Sequence, residues 1–385
     1  MKRRRQKERG VALIAVAVFL AALFALTVVG IDIGRLAHVA TEVQSVADAA
    51  ATGGTLGLRD SGGLPLTGIL RAKLVGNQNF MNGTAAPLGN VVVDVVLDVP
   101  ALPEPGGDVL ADRSQTTAGG GFNVMAAAAR LGLAVAYGGV IGSGPFAALA
   151  RAACAAEGIE VLRPAKPGRD TGFVVSIVDA TGERTFLTSR GAEATLTMAD
   201  LEPVRPAPGD AVYLSGYGLA HPSNAAALLG WLGRLGEKHV VAFDPGPLAG
   251  SLPGDVLDPV LARADWVTCN AREGALLTGA ADPGDALRVL TGRLPRAGVL
   301  VRVGPDGCLL GGRGLVAERV PGFRVEVVDT NGAGDTHTGA FLAALASGVS
   351  WMEAVRRANA AAALSVTRRG PATGPTVAEL ERFMS

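Results

Sequence analysis

Residues 329–345 read DTNGAGDTHTGAFLAAL. Two glycines flank an alanine, an aspartate follows at once, and the chain then runs into an apolar helix. The preceding RVEVVD (324–329) has the look of a strand, so the expected layout is strand, glycine loop, then a helix from Asp335. In an open α/β sheet ligands bind at such junctions, outside the carboxyl ends of the strands. Glycines let the backbone approach an anion, and N–H groups at a helix N-terminus aim partial positive charge at it. Phosphate is the expected guest. No G-x-x-x-x-G-K-[ST] run occurs in the sequence, which excludes a Walker-type loop. A carboxylate inside an anion hole opposes simple anion binding. Two readings of Asp335 follow: a cap on its own helix, or a base that takes a proton from an attacking hydroxyl while the amides stabilise a transferred phosphoryl group.

Outward from this stretch, short β-branched runs alternate with Ala-rich helical ones from about residue 88. DAVYLSGY, HVVAFD, WVTCN and GVLVRVG read as strands, and NVMAAAARLG, PFAALARAACAAEG, NAAALLGWLGRLG and DPVLARA as helices. Such alternation calls for a mostly parallel sheet with helices on both faces. Two pieces do not alternate: VVLDVPALPEPGGDVLADRSQTTAGGG and GFVVSIVDATGERTFLTS. Both read as antiparallel strands, the second turning at DATGE, and together they predict a small β flap beside the main sheet. The three cysteines, Cys154, Cys269 and Cys308, are far apart and read as buried free thiols. Six Lys/Arg fall in the first ten residues, leaving 29 basic against 34 acidic residues in the body. A mildly acidic body with 4% aromatics carries no nucleic-acid footprint.

Other residues bear on the reaction. In NARE, Asn270 and Glu273 follow the strand WVTC; a carboxylate near triphosphate oxygens acts through magnesium and its waters, whereas a helix start with an N-cap Asn accounts for the same spacing. GNVVVD supplies Asp94, and AGGGFN supplies Gly119, Gly120 and Asn123 at a helix start. Asp and Asn suit sugar hydroxyls, yet a strand-edge carboxylate and a helix cap also fit. Together, in this order, these motifs resemble the ribokinase-like sugar kinases of the phosphofructokinase-B family, from about Gly89 to Glu381, with IGSGPF, VRVGPDG and NAAAALSVTRRG in support.

The resemblance implies a three-layer α/β/α fold with a β flap, in a domain spanning 88–385. It implies transfer of the γ-phosphate of ATP to a primary hydroxyl of a sugar or nucleoside. Asp335 would be the general base, with Gly332, Ala333 and Gly334 as anion hole. Asn270 and Glu273 would manage Mg2+ and ATP, Glu273 through water; Gly304 and Gly307 would lie by the nucleotide and Asn359 by the adenine. Asp94, Gly119, Gly120 and Asn123 would hold the sugar. Asp329, with the region near Gly370, would take a monovalent cation such as K+, and two chains would pair through the flap. The sequence departs from the pattern at Ala118, where Gly is common, at Arg302, where Thr often precedes the glycine turn, and at His337, where Phe usually follows the Asp. His337 reads as a helix-start residue rather than a second base.

The N-terminus belongs to another context. Residues 11–31 are uncharged, with Thr27 the only clearly polar side chain, and about 20 such residues span a bilayer core. A single-pass inner-membrane anchor is expected, with the basic cluster Lys2–Arg9 on the cytoplasmic side. An amphipathic pattern then continues to Gly53-Gly54. Residues 1–60 resemble the N-terminus of Tad/Flp pilus-assembly proteins, although Ala15 stands where a prepilin-peptidase substrate carries Glu. Residues 61–87 read as a linker, and NGTAAPL (82–88) is a poor strand where an apolar one should enter the kinase sheet. Export would place a kinase where there is no ATP, while its chemistry suits the cytoplasm. The expected organisation is therefore a fusion of two halves, with an envelope protein carrying an inactive kinase-like scaffold as the second reading.

Overall fold

The computed structural model describes residues 84–87, 90–180 and 184–385. The expected membrane segment (11–31), the amphipathic stretch to residue 60 and the linker to residue 83 lie outside the described residues. Among the described residues no helix is long and apolar enough to cross a membrane.

Thirteen strands are described: β1 (Thr84–Pro87), β2 (Val91–Asp98), β3 (Arg113–Gly120), β4 (Ala134–Tyr137), β5 (Glu160–Val161), β6 (Phe173–Val178), β7 (Arg184–Ser189), β8 (Ala211–Ser215), β9 (Val240–Asp244), β10 (Trp266–Asn270), β11 (Gly298–Arg302), β12 (Cys308–Gly312) and β13 (Leu315–Val320). Nine form one sheet in the order β13-β12-β11-β10-β9-β8-β1-β4-β5. Its ladders are parallel from β11 through β10, β9, β8, β1 and β4 to β5, and antiparallel between β11, β12 and β13. Side-chain alternation divides two cores across this sheet. Ala211 and Tyr213 of β8 face one core, with the helices Gly121–Arg130, Ala333–Ala346 and Trp351–Val366. Val212 and Leu214 face the other, with Pro222–Leu232, Gly254–Arg263 and Pro283–Arg293. This is the three-layer arrangement that the alternating pattern predicts. All three cysteines are free and buried.

The four-stranded sheet β3-β2-β6-β7 is the expected flap. Two antiparallel pairs, β2 with β3 and β6 with β7, join through the parallel pair β2 with β6. The helices Gly121–Arg130 and Ala333–Ala346 approach closely on one side of the main sheet. A Cβ at Gly339 would stand 2.4 Å from the Val124 carbonyl oxygen and 2.9 Å from the Ala127 Cβ.

Three expectations are corrected here. Residues 324–329 are not a strand. The stretch is pinned instead to a helix end, the amides of Val328 and Asp329 both donating to the Val366 carbonyl at 2.8 and 3.1 Å. The helix after the glycine loop starts at Ala333 rather than Asp335. Conversely, Thr84–Pro87, read as linker, is a strand paired on both sides, Ala85 with Val135 of β4 and with Ala211 of β8. Two flanking parallel strands supply backbone partners that a weak β former lacks on its own. Pro87, without an N–H, falls at the last position, where its missing donor matters least.

Candidate active site

The carboxyl ends of β9, β10 and β11 carry Asp244, Asn270 and Arg302 side by side. Over this edge the glycine loop delivers the helix Ala333–Ala346. Gly332 caps it in the left-handed region, φ 73° and ψ 6°, and a Cβ there would lie 2.1 Å from the Pro371 carbonyl oxygen. Only glycine accepts both constraints. Of the amides expected to line the anion hole, Ala333 already donates to the Thr330 carbonyl at 3.3 Å. Gly334 and Asp335 stand in the first turn, where a helix offers their N–H groups no carbonyl four residues back.

Asp335 lies at the helix mouth, and Asn123 Nδ2 donates to its Oδ2 at 3.0 Å. Asn123, expected to hold the sugar, is 5% exposed and spends one amide hydrogen on the Asp335 carboxylate; its Oδ1 is buried without a partner among the described residues. Burial pushes the Asp335 carboxyl up to about 6; the Asn123 bond and the Arg302 charge lower it, and the Asp244 charge raises it. Asp94 is also pushed up to about 6, by burial and then by Asp335. It sits on β2 with its carboxylate against β3, where a Cβ at Gly119 would stand 2.0 Å from Asp94 Oδ2. The Tyr217 hydroxyl is raised to about 12, by partial burial and then by Asp335, Glu273, Asp244 and Asp94. The charges of all four carboxylates thus reach Tyr217.

Asn270 and Glu273 form a capping box on the helix Ala271–Thr278. Asn270 Oδ1 accepts from the Glu273 amide at 2.9 Å, and Glu273 Oε2 accepts from the Asn270 amide at 2.8 Å. Glu273 is 5% exposed, and burial followed by the Asp244 charge pushes its carboxyl up. Both residues thus build the helix start, and Glu273 suits only a metal reached through water. Among the described residues no three His, Cys, Asp or Glu side chains converge to hold a metal. That donor set fits magnesium, which keeps much of its water and leans on phosphate oxygens. Asp329 takes the amides of Asn331 and Gly370 on its two oxygens, at 2.9 and 3.1 Å.

Gly304 and Gly307 shape the turn between β11 and β12, closed by Gly307 N–H to the Gly304 carbonyl at 3.0 Å. Asn359 is buried, and its amide donates to the carbonyls of Val320 and Pro321, each at 3.0 Å. Its Oδ1 must then accept from His337 Nε2, 3.1 Å away, so the imidazole carries its proton there. Burial holds His337 neutral, lowered to about 3. Asn359, which the resemblance puts by the adenine, locks the fold with both amide hydrogens.

Sequence reasoning missed Asp244, Thr268 and Thr338, and treated Arg302 only as a departure. Arg302 Nη1 lies 3.0 Å from Asp244 Oδ2, 2.6 Å from Thr268 Oγ1 and 3.1 Å from Thr338 Oγ1, and Nη2 lies 3.4 Å from Glu273 Oε2. The available signal was an aspartate closing the strand HVVAFD, as Asn270 closes WVTCN and Arg302 closes GVLVR.

A mostly parallel sheet whose carboxyl edge meets a glycine loop, a helix N-terminus and a part-buried aspartate frames the site. The chain belongs to the pfkB family of carbohydrate kinases, whose family model matches residues 85–377, and is thereby a phosphotransferase with an alcohol acceptor. It is 33% identical to an uncharacterised sugar kinase, YegV, of Escherichia coli, over 76% of this chain and 91% of that one. It is 30% identical to a ribokinase of Haemophilus influenzae, over 79% of this chain and 99% of that one. Among solved structures it is similar to the aminoimidazole riboside kinase of Salmonella enterica, complexed with aminoimidazole riboside and an ATP analogue, at TM-score 0.67 and 26% identity, covering 78% of this chain and 100% of that one.

Proposed function

We propose that the protein phosphorylates a primary hydroxyl of a sugar or nucleoside with ATP, using Asp335 as base. The observation that carries this reading is the Asp335 carboxylate at the helix mouth, one oxygen held by Asn123 and its carboxyl raised to about 6. A base titrating there is ionised at neutral pH yet basic enough to accept a hydroxyl proton. Oδ1, which has no hydrogen-bond partner among the described residues, takes that proton. The hydroxyl oxygen attacks the γ-phosphorus, the bond to ADP breaks, and the amides of Gly332, Gly334 and Asp335 stabilise charge on the moving group. Asp94 accepts from the sugar hydroxyls over Gly119 and Gly120. Magnesium, held by phosphate oxygens and water beside Asn270 and Glu273, neutralises developing charge when bound. Gly304 and Gly307 border the nucleotide. Pairing through the flap belongs to the same reading, since Phe186 and Leu187 of β7 are each 59% exposed.

The test is ATP-dependent phosphorylation of a panel of ribose, fructose, ribosides and nucleosides by the purified protein. Asp335→Asn should keep affinity for ATP while turnover falls by roughly 10²–10⁴-fold. Turnover within a few-fold of wild type would remove Asp335 from the role of base.

A further inference from the structure

The helix mouth that would receive a triphosphate is crowded by carboxylates. Asp244 closes β9, and Glu273 stands just past the end of β10. Left alone, two negative charges at this edge would repel the phosphates that the amides attract. Arg302 lies between them. Its guanidinium touches Asp244, Thr268 and Thr338 through Nη1 and approaches Glu273 through Nη2. The same group sits beside the anion loop, since a Cβ at Gly334 would be 3.6 Å from the guanidinium carbon. Thr338 lies three residues after Asp335 on the same helix, and its Oγ1 is also 3.5 Å from Asp244 Oδ2.

We propose that Arg302 is a positioning residue for phosphoryl transfer, cancelling the charge of Asp244 and Glu273 beside the anion loop and, through Thr338, fixing the helix that aims Asp335. The inference rests on the proposed function only in the second clause; the first concerns nucleotide binding alone. Guanidinium keeps its charge at any pH the fold tolerates, and its planar fork sets Nη1 against Asp244, Thr268 and Thr338 while Nη2 reaches toward Glu273. A lysine at this position would keep the charge and lose the fork. The two duties are therefore separable.

The test uses the full chain, with adenylyl imidodiphosphate as the binding probe. In Arg302→Met the dissociation constant should rise by roughly 10- to 100-fold. Adding Asp244→Asn to that variant should restore much of the affinity, because the uncompensated charge is gone. Arg302→Lys should bind the probe within a few-fold of wild type while turnover drops by about tenfold or more, because the helix loses its fixed aim. A simple structural clamp predicts neither recovery by charge removal nor the split between binding and turnover. Folded Arg302→Met with wild-type affinity overturns the proposal. If that single variant does not fold, the double variant and Arg302→Lys decide: weak probe binding in both overturns it. Should Asp335→Asn prove fully active, the reading of the base fails, while the binding arms still judge the charge role of Arg302.

Discussion

The strands β10 and β11 end in two very different arginine sites. At their carboxyl edge, Arg302 sits among Asp244, Glu273 and two threonines. At their amino edge, Arg313 lies over the rings of Trp266 and Trp351, 5.8 and 5.5 Å from the centroids, with Asp265 at 3.7 Å. Around it Trp266 meets Phe341 and Trp351 edge-on, at 4.8 and 5.4 Å. The amino edge is aromatic, and its cations and Asp265 are paired with one another. The carboxyl edge gathers carboxylates that burial opposes. One edge buries aromatic surface around a cation; the other buries carboxylates whose carboxyls are pushed up.

That division can be broken most sharply at Trp266. Trp266→Ala should destabilise by about 3–5 kcal/mol, while the folded fraction binds the ATP analogue within a few-fold of wild type. Calorimetric unfolding and binding measured on the same sample check this. A large loss of affinity without loss of stability would erase the distinction. Next in size is Glu273→Gln. The magnesium concentration needed for half-maximal rate should rise several-fold, with the acceptor KM unchanged. The reverse pattern would show Glu273 to belong to acceptor binding.

Asp335→Asn tests the cost of the carboxyl edge directly. The Asp335 carboxyl is raised from 3.8 to about 6, so the folded chain binds its proton more tightly than the unfolded one. That stabilisation is complete below about pH 4 and is lost as pH rises through 6. Asn, which is never charged, should therefore raise the melting temperature at pH 8 by an amount worth up to about 3 kcal/mol, with the gain gone by pH 4. The wild-type rate should fall on acidification through about pH 6, where the base becomes protonated. A melting temperature unchanged at pH 8 would mean that the site carries no electrostatic strain. The smallest effect is expected at β1. Ala85→Val in this doubly flanked strand should add up to about 1 kcal/mol, read as a rise of a few degrees; a loss of stability would show that the short strand is already optimally filled.

What was legible in the sequence follows from locality. The glycine loop, the alternating strands and helices and the flap strands are patterns within a few residues, and the structure contains them. RVEVVD failed because alternation says nothing about whether a partner strand is at hand; its last amides bond the end of the helix Trp351–Val366 instead. Thr84–Pro87 failed in the other direction, since its pairing comes from β4 and β8 rather than from its own residues. The grip of Asn123 on Asp335 spans 212 positions, and Arg302 gathers partners from β9, β10 and the helix Ala333–Ala346. No local pattern announces such contacts, although a charged residue closing an apolar strand marks a position to watch.

Gly339 gives the site a mechanical reference far from the chemistry. It lies one turn below Asp335, where a Cβ would press 2.4 Å from the Val124 carbonyl, next to the residue that grips the base. The separation of the two helices thus acts as a gauge block beneath the Asn123–Asp335 bond. A single methyl added at Gly339 would wedge the helices apart and swing the carboxylate away from its partner, leaving every residue of the site in the chain and the lever that aims them out of true.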